Sequence, residues 1–306
     1  MEGIYYSLNE YLQDRFGEKV YKLSLDLGLT CPNRDGNLDN RGCIFCHNGS
    51  SHFAQHGQNI EEQIEAAKSR ISAKTNAKKY IAYFQTYTNT YAPYDYLKDI
   101  FTRAINQDDI VAISIATRPD CLPDDIVDLL TKLNKVKPVW VELGLQTSNE
   151  QTAEYIRRFY PNRTYSDAVK RLKASGIDTI THVILGLPGE SEDDMLSSVK
   201  FAVDCGTKGI KLQLLHILKG TDLYIDYLKE EFHVLSLEEY IDIICRCLEI
   251  IPSNIVIHRI TGDPPKSLLF KPDWCTDKKN VLNSINRELK QRNIYQGSKA
   301  KMNSFD

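Results

Sequence analysis

The sequence predicts an α/β fold with a parallel sheet, because apolar, β-rich runs alternate with segments of helical periodicity over most of the 306 residues. Strands that are separated by helices of this length form βαβ units. Six or seven such units predict a complete or partial (β/α) barrel of TIM type, with N- and C-terminal extensions. The predicted strands are Tyr21–Leu27, Tyr80–Gln85, Ile110–Ala116, Trp140–Gln146, Thr179–Leu185, Gly209–His216 and Ile255–Ile260.

The segments between these strands carry the signals of helix ends. Ile60–Ser72 is amphipathic, and Pro123–Leu133 opens with Pro-Asp-Asp, which suits a helix N-terminus. Tyr165–Ser175 and Glu192–Cys205 are each followed by glycine, which is a common C-terminal stop signal. Ser236–Ile251 opens with Ser-Leu-Glu-Glu, the pattern of a capping box.

Length, charge and cysteine content limit the class of protein. Apolar residues make up 42% of the chain, which is enough for a sizeable core, and the formal net charge of −3 creates no general attraction to nucleic acid. No apolar run reaches the roughly 20 residues that span a bilayer, and the N-terminus lacks the pattern of a signal peptide. We therefore expect a cytoplasmic protein without a membrane partner, whose eight cysteines serve metal binding or catalysis rather than disulfides.

The expected domain organisation is simple, because no long linker or low-complexity segment divides the chain. An N-terminal extension covers residues 1–19, and a single barrel domain covers residues 20–267. A C-terminal extension and tail cover residues 268–306.

Three cysteines follow the first predicted strand, where a (β/α) barrel carries its chemistry. Cys31, Cys43 and Cys46 can ligate three irons of a [4Fe–4S] cluster, which leaves one iron open to a small molecule. The alternative is a structural zinc site that takes its fourth ligand from His47 or His52. Phe45, between the last two cysteines, either packs on a flat ring bound at the cluster or seals the loop.

Polar side chains also end the second and third predicted strands. Gln85 and Thr86 follow one strand, and Thr117 and Arg118 follow the next. A structural turn needs fewer amides and hydroxyls than these loops contain, so the pattern favours ligand contact. For the third strand the alternative is a capped loop in which Asp120 begins a helix.

The fourth and fifth strands contribute further candidates. Glu142 and Gln146 are four residues apart and share one side of a strand. A carboxylate inside a barrel is costly unless it is paired or used, so Glu142 either belongs to a site or pairs with Arg118 or Lys211. His182 is either a ligand contact or a core histidine that is merely hydrogen-bonded.

Two later groups of residues are further candidates, and the sequence leaves open which way the side chains of the first group face. Lys211, Gln213 and His216 lie on or just beyond the sixth predicted strand. Residues 258–265 follow the last strand and are followed in turn by residues 271–279, and either segment could close over the mouth of the barrel and touch substrate.

Taken together, these motifs resemble the radical S-adenosylmethionine (SAM) superfamily. The resemblance covers roughly residues 20 to 280, and it is strongest to the subgroup related to the Elongator catalytic subunit, without the acetyltransferase domain of that subunit. Within the subgroup the chain is similar to the short bacterial YtqA/YhcC type, whose YtqA branch is also called MnmL. The matching runs are Phe-Gln-Thr-Tyr-Thr-Asn-Thr-Tyr-Ala-Pro, Ala-Thr-Arg-Pro-Asp, Glu-Leu-Gly-Leu-Gln and His-Val-Ile-Leu-Gly-Leu-Pro-Gly-Glu. The gap of eleven residues between the first two cysteines is wider than the three of most members.

The resemblance implies both cofactors and their contacts. It makes Cys31, Cys43 and Cys46 the ligands of a [4Fe–4S] cluster that binds SAM. It places Phe45 beside the SAM adenine, and Gln85 and Thr86 at the turn that touches the SAM amino group. The remaining implied contacts are Thr117, Glu142 and Gln146 on the cofactor side, Arg163 on the SAM carboxylate and His182 on the ribose.

The resemblance also implies a reaction. A 5′-deoxyadenosyl radical would be generated from SAM, with ferredoxin or flavodoxin as electron donor. For the YtqA branch the substrate is tRNA, and the wobble-uridine carboxymethylaminomethyl group becomes aminomethyl. The alternatives are radical chemistry on a small metabolite or a protein, and a metal-stabilised RNA-binding protein without catalysis.

Overall fold

A computed structural model describes residues 3–47, 59–72 and 75–300 of the chain. Hydrogen bonds order seven strands as β1-β2-β3-β4-β5-β6-β8 in one sheet, and β7 pairs with β9 in a second sheet. The strands are β1 (Val20–Leu25), β2 (Lys79–Phe84), β3 (Ile110–Thr117), β4 (Val139–Gln146), β5 (Asp178–Leu185), β6 (Gly209–Leu214), β7 (Ile217–Leu218), β8 (Val256–Arg259) and β9 (Leu269–Lys271).

Helices connect successive strands of the larger sheet, as expected for βαβ units. The described α-helices are α1 (Leu8–Phe16), α2 (Ile60–Ser72), α3 (Tyr94–Ile105), α4 (Asp124–Asn134), α5 (Glu150–Tyr155), α6 (Asn162–Ala174), α7 (Glu192–Cys205), α8 (Asp222–Lys229), α9 (Leu237–Ile250) and α10 (Lys278–Gln291).

The larger sheet has the strand order of a (β/α) barrel, because its strands follow one another along the chain, with β8 in place of β7 after β6. The pairs β1–β2, β2–β3, β3–β4 and β6–β8 are parallel. Leu25 lies opposite Phe84, and Thr117 lies opposite Leu143. The carboxyl ends of these strands therefore lie at the same edge. The α/β class and the partial TIM-type barrel are confirmed.

The central strands are long apolar runs because both of their faces are covered. In β3 seven of the eight residues are buried, and in β2 five of six are. The predicted helix ends are also observed. Gly206 adopts the left-handed conformation (φ +94°) after α7, and Ser236 and Glu239 form the capping box of α9, with a Ser236 amide to carboxylate distance of 2.7 Å.

The predicted sixth strand is shorter than expected. β6 ends at Leu214, and the chain then turns into β7, which pairs antiparallel with β9. The Leu215 amide still donates to the Leu185 carbonyl at 2.9 Å, so the chain departs from the sheet at His216. The two-residue β7 and three-residue β9 are too short to be predicted from periodicity.

The chain forms two compact units. The cysteine unit comprises Asn9–Gly144 and Phe159–Ile180, and the carboxyl unit comprises Met1–Leu8, Leu145–Arg158 and Thr181–Asp306. The boundaries expected from the sequence, at residues 19 and 267, remain a prediction. Among the helices of the described residues, none is both long and apolar enough to cross a membrane.

Candidate functional site

The three predicted cluster ligands lie in the loop that follows β1 in the cysteine unit. Backbone turns shape this loop, since the Arg34 amide donates to the Cys31 carbonyl (2.7 Å) and the Cys46 amide to the Cys43 carbonyl (2.9 Å). Gly42 has a φ of +79°, and a Cβ at this position would lie 2.7 Å from Arg34 Nε. Only glycine meets both demands. The three cysteines form no disulfide bonds among the described residues, and each is partly exposed.

The sulfur atoms of these cysteines interact electrostatically. Burial raises the pKa of the Cys43 thiol to about 12, and the charges of Cys46 and Cys31 also raise it, whereas Arg118 lowers it. Asn33 Nδ2 donates to Cys43 Sγ at 3.4 Å. Bound iron requires deprotonated thiols and supplies the positive charge that stabilises them. Asn33 provides the kind of hydrogen bond to sulfur that tunes such clusters.

The zinc alternative rests on two histidines. His47 is partly exposed at the end of the cysteine loop, and His52 lies outside the described residues. Over residues 3–47, 59–72 and 75–300, no group of three or more His, Cys, Asp or Glu side chains is arranged to hold a single metal ion.

The loop that follows β2 lies beside the cysteine loop, because the Thr88 amide donates to the Thr30 carbonyl at 3.3 Å. Thr86 is 2% exposed, and its hydroxyl forms no hydrogen bond with any residue that the structure describes. The side-chain oxygen of Asn89 is likewise buried and accepts no hydrogen bond from any residue that the structure describes. Buried polar atoms almost always have partners, so these two atoms fit a polar ligand such as SAM. Gln85 is partly exposed at the start of the loop.

Thr117 and Arg118 end β3 in the same unit. The Thr117 hydroxyl lies 2.6 Å from that of Thr90. Arg118 forms a bidentate pair with Asp120, at 2.9 and 2.7 Å, and its guanidinium lies 4.9 Å from the centre of the Tyr160 ring. Arg118 therefore pairs with Asp120, which the capped-loop alternative treated as a helix-starting residue.

Glu142 lies in the middle of β4 and is 1% exposed. Its carboxylate accepts hydrogen bonds from Lys22 Nζ (2.8 Å), Ser114 Oγ (2.7 Å) and the Tyr83 hydroxyl (3.0 Å). The Lys22 ammonium also lies 4.6 Å from the centre of the Tyr83 ring. Glu142 thus forms an ion pair with Lys22. This network gives the carboxylate a structural role in the cysteine unit.

Two other predicted contacts are at the surface of this unit. The Arg163 side chain is 88% exposed and pairs with Asp167 one turn later on α6, at 3.4 Å. Phe45 is partly exposed within the cysteine loop. Contact of either residue with SAM remains a prediction.

In the carboxyl unit, Gln146 ends β4 with a left-handed backbone (φ +66°), which is unusual for a residue other than glycine. The Thr147 amide donates to the Leu145 carbonyl at 2.8 Å, so the chain makes a tight γ-turn at Gln146. Arg158, 1% exposed, donates to the carbonyls of Leu145 (3.1 Å) and Thr147 (2.6 Å). Strain of this kind clusters at functional sites.

Sequence reasoning did not single out Arg158 for this place. Its signal, a pair of adjacent arginines at Arg157 and Arg158, is more typical of a solvated basic surface. His182, the other predicted contact in this unit, is partly exposed on β5, with Nδ1 3.4 Å from Gln213 Nε2 on β6. The structure brings His182 and Gln213 together, and contact with SAM remains a prediction for His182 and Gln146.

Glu190, which follows β5 in the carboxyl unit, has an unusual carboxyl group. Burial raises its pKa from 4.5 to about 7. A hydrogen bond from the Thr147 hydroxyl lowers the pKa, and the charge of Asp194 raises it.

We expect Glu190→Gln to stabilise the apoprotein more at pH 8 than at pH 5. The native carboxyl keeps its proton to a higher pH than the unfolded chain does, so the free energy of unfolding falls as pH rises from 4.5 to about 7. Glutamine removes this loss, which amounts to about 3 kcal/mol well above pH 7. Thermal unfolding of both proteins at the two pH values measures it.

The matched control is Asp193→Asn, since the Asp193 side chain is 91% exposed on the next helix. Its effect on Tm is expected to be the same at both pH values. An equal effect of Glu190→Gln at pH 5 and pH 8 would contradict the prediction.

Comparison with protein families gives two matches. The model of the radical SAM superfamily matches residues 40–202, which include Cys43 and Cys46, and the model of the radical SAM C-terminal domain matches residues 207–291.

Curated relatives extend over nearly the whole chain. YtqA of Bacillus subtilis, described as uncharacterized, is 46% identical over 97% of this chain and 92% of its own length. YhcC of Escherichia coli is 34% identical over 94% of this chain and 92% of its own length. A tRNA uridine(34) acetyltransferase of Methanocaldococcus jannaschii is 28% identical, over 52% of this chain and 29% of its own length.

Among solved structures, the archaeal Methanocaldococcus infernus Elp3 with an N-terminal deletion has the same fold. Its TM-score is 0.69 at 18% sequence identity, and the match covers 90% of this chain and 64% of that one. This chain therefore spans slightly less than two thirds of that structure.

These matches confirm the resemblance to the YtqA/YhcC type and to Elongator-related proteins. Radical SAM enzymes use a [4Fe–4S] cluster and SAM, so both predicted cofactors are confirmed at the level of the family. Because the two family models together match most of the chain and YtqA aligns with nearly all of it, the chain belongs to the radical SAM superfamily.

Proposed function

We propose that this protein is a tRNA-modifying radical SAM enzyme that converts a carboxymethylaminomethyl group on the wobble uridine to an aminomethyl group. The observation that carries the radical chemistry is the loop with Cys31, Cys43 and Cys46, inside a chain that matches the radical SAM family. The tRNA substrate is supported by the relative that is named for uridine 34 of tRNA. The reaction is proposed for the cytoplasm, with a ferredoxin or flavodoxin as electron donor.

The cysteine unit supplies the proposed cofactor contacts. Cys31, Cys43 and Cys46 would hold the cluster, and the buried oxygens of Thr86 and Asn89 would accept hydrogen bonds from the methionyl amino group of SAM. When bound, the two cofactors supply a 5′-deoxyadenosyl radical. The protein positions this radical and excludes water and oxygen from it.

The proposed reaction oxidises the carboxymethylaminomethyl group to an imine and then hydrolyses it. A hydrogen atom leaves the methylene carbon between the nitrogen and the carboxylate, and deoxyadenosine forms. Loss of one further electron and of the nitrogen proton would give an imine. Water would then add, the carbon–nitrogen bond would break, and the carboxymethyl unit would leave as glyoxylate. The bound cofactors would supply the two-electron oxidation that this change requires.

Anaerobic reconstitution tests the proposal directly. The holoenzyme is incubated with SAM, dithionite and tRNA from a strain that lacks this protein, and nucleosides and deoxyadenosine are measured by mass spectrometry. We expect loss of the carboxymethylaminomethyl nucleoside, gain of the aminomethyl nucleoside and an equivalent amount of glyoxylate.

Two controls separate the parts of the proposal. Reactions without SAM are expected to leave the tRNA unchanged, as are reactions with tRNA that carries unmodified uridine. Failure to form deoxyadenosine above background would contradict the radical chemistry. Deoxyadenosine formation with unchanged tRNA would contradict only the substrate, and would favour a metabolite or a protein instead.

A further inference from the structure

His216 and Gly262 meet in the carboxyl unit, at the carboxyl ends of the paired strands β6 and β8. His216 precedes β7, and the residues after Gly262 lead into β9, so the β7–β9 pairing holds the two segments side by side. The Tyr240 hydroxyl on α9 donates to the Ile260 carbonyl at 3.1 Å and fixes the start of the segment that contains Gly262. Ligands of (β/α) barrels bind at this edge of the sheet.

The contact between these two residues admits only glycine at position 262. A Cβ added to Gly262 would lie 2.0 Å from His216 Cε1 and 2.3 Å from His216 Nε2. Real Cβ atoms do not approach a ring this closely, so the imidazole occupies the space that any side chain would need. The absence of a side chain at Gly262 therefore allows the position of His216.

The imidazole of His216 is uncharged and incompletely hydrogen-bonded. Burial lowers its pKa to about 4, the charge of Arg259 lowers it as well, and Asp263 opposes the shift. Nε2 is shielded from solvent, and no residue in the described part of the chain hydrogen-bonds to it. Leaving a buried nitrogen without a partner is unfavourable, so such an atom points to a group that a ligand completes.

The charged groups near this imidazole indicate the sign of that ligand. Arg259 is exposed, and within the described residues no carboxylate forms an ion pair with it. Asp263 is engaged by Lys278, at 3.5 Å. A guanidinium fork beside a neutral imidazole N–H suits a carboxylate, which can accept hydrogen bonds from both.

We propose that His216 and Arg259 form the subsite that binds the carboxylate of the carboxymethylaminomethyl group, and that Gly262 is required because it leaves room for the imidazole. This assignment rests on the proposed function and adds the residues that distinguish substrate from product, since only the substrate carries the carboxylate.

Binding of defined RNAs tests the subsite without turnover. The reconstituted holoenzyme, with SAM and without reductant, is titrated into three fluorescent anticodon stem-loops that carry carboxymethylaminomethyluridine, aminomethyluridine or uridine. We expect the wild type to prefer the carboxymethylaminomethyl RNA about tenfold over the aminomethyl RNA. His216→Leu, Arg259→Met and Gly262→Ala are each expected to reduce this preference to about twofold or less, with little change in binding of the uridine RNA.

Two further variants make the result specific. His216→Gln retains a hydrogen-bonding group near the position of Nε2 and is expected to keep part of the preference. His233→Leu, which replaces an exposed histidine paired with Glu239 in the same unit, is expected to keep all of it. Because Arg259 is exposed, Arg259→Met tests the subsite even if a variant of the buried imidazole fails to fold.

The outcomes separate this inference from the proposed function. If the wild type prefers the carboxymethylaminomethyl RNA over the aminomethyl RNA, and His216→Leu and Arg259→Met keep the same preference as the wild type, the proposed subsite is wrong and the proposed function stands. If the wild type binds the carboxymethylaminomethyl and uridine RNAs equally, the wobble-uridine substrate is wrong, and the carboxylate subsite is rejected with it.

Discussion

Replacement of Cys31, Cys43 or Cys46 by alanine is expected to abolish both the iron–sulfur cluster and the formation of 5′-deoxyadenosine. Each cysteine would ligate a different iron, and a cubane held by two thiolates is not retained on reconstitution. We expect the wild type to bind about four iron atoms per chain and to show the brown absorption of the cluster. Each variant is expected to bind less than about one iron, measured anaerobically by metal analysis and absorption.

Cys245→Ala is the matched control, because Cys245 is buried in α9 of the carboxyl unit and is far from the cysteine loop in sequence. It is expected to keep the cluster and the activity, with a stability loss of about 1 kcal/mol. Retention of four irons by a variant in which Cys31, Cys43 and Cys46 are all replaced by alanine would contradict their assignment as cluster ligands. One tightly bound zinc in the wild type, with His47 or His52 as a ligand, would establish the structural alternative instead.

Glu142→Leu is expected to lower the free energy of unfolding of the apoprotein by about 3 kcal/mol. The substitution removes the carboxylate that Lys22, Ser114 and Tyr83 share, and it leaves their donors in a buried place. Chemical denaturation of the apoprotein measures the change without any contribution from cofactor binding. A loss of this size would identify Glu142 as a structural residue, whatever its distance from SAM.

A paired substitution shows whether the ion pair itself is responsible. Lys22→Met combined with Glu142→Leu removes both charges of this pair, and the double variant is expected to be more stable than Glu142→Leu alone, because the Lys22 ammonium is no longer left without its carboxylate. Glu65→Ala removes an exposed ion pair with Lys68 in the same unit, and it is expected to lower the free energy of unfolding by at most about 0.5 kcal/mol. An unchanged stability of Glu142→Leu would favour a role in cofactor binding alone.

Residue-level prediction succeeded where a local pattern determines the structure. The long apolar runs of β2 and β3 identified strands that are covered on both faces, and Ser-Leu-Glu-Glu identified the start of α9. The three cysteines indicated an iron–sulfur cluster, and the resemblance of the chain to the radical SAM superfamily implied SAM; the family match confirms both. In each case the deciding interactions lie within a few residues of one another along the chain.

Prediction was less complete where partners come from distant segments. The carboxylate of Glu142 was recognised as needing a partner, yet the sequence did not single out Lys22, which lies 120 residues earlier and forms an ion pair with it. The left-handed backbone of Gln146 depends on a buried Arg158 that the sequence presents as part of a basic pair. The sequence immediately around Glu142 or Gln146 gives no sign of these contacts.

The order of the βα units, the helix ends and the three thiols for an iron–sulfur cluster follow from the sequence by itself, because hydrophobic period, capping and ligand type are properties of short segments. Only the tertiary structure decides which buried polar atoms find no hydrogen-bond partner among the residues it describes, such as Thr86 Oγ1 and His216 Nε2, and at which position a neighbouring ring leaves room only for glycine. The physical reason is that desolvation and close packing depend on everything that surrounds an atom, and most of those surroundings are contributed by residues remote in the chain.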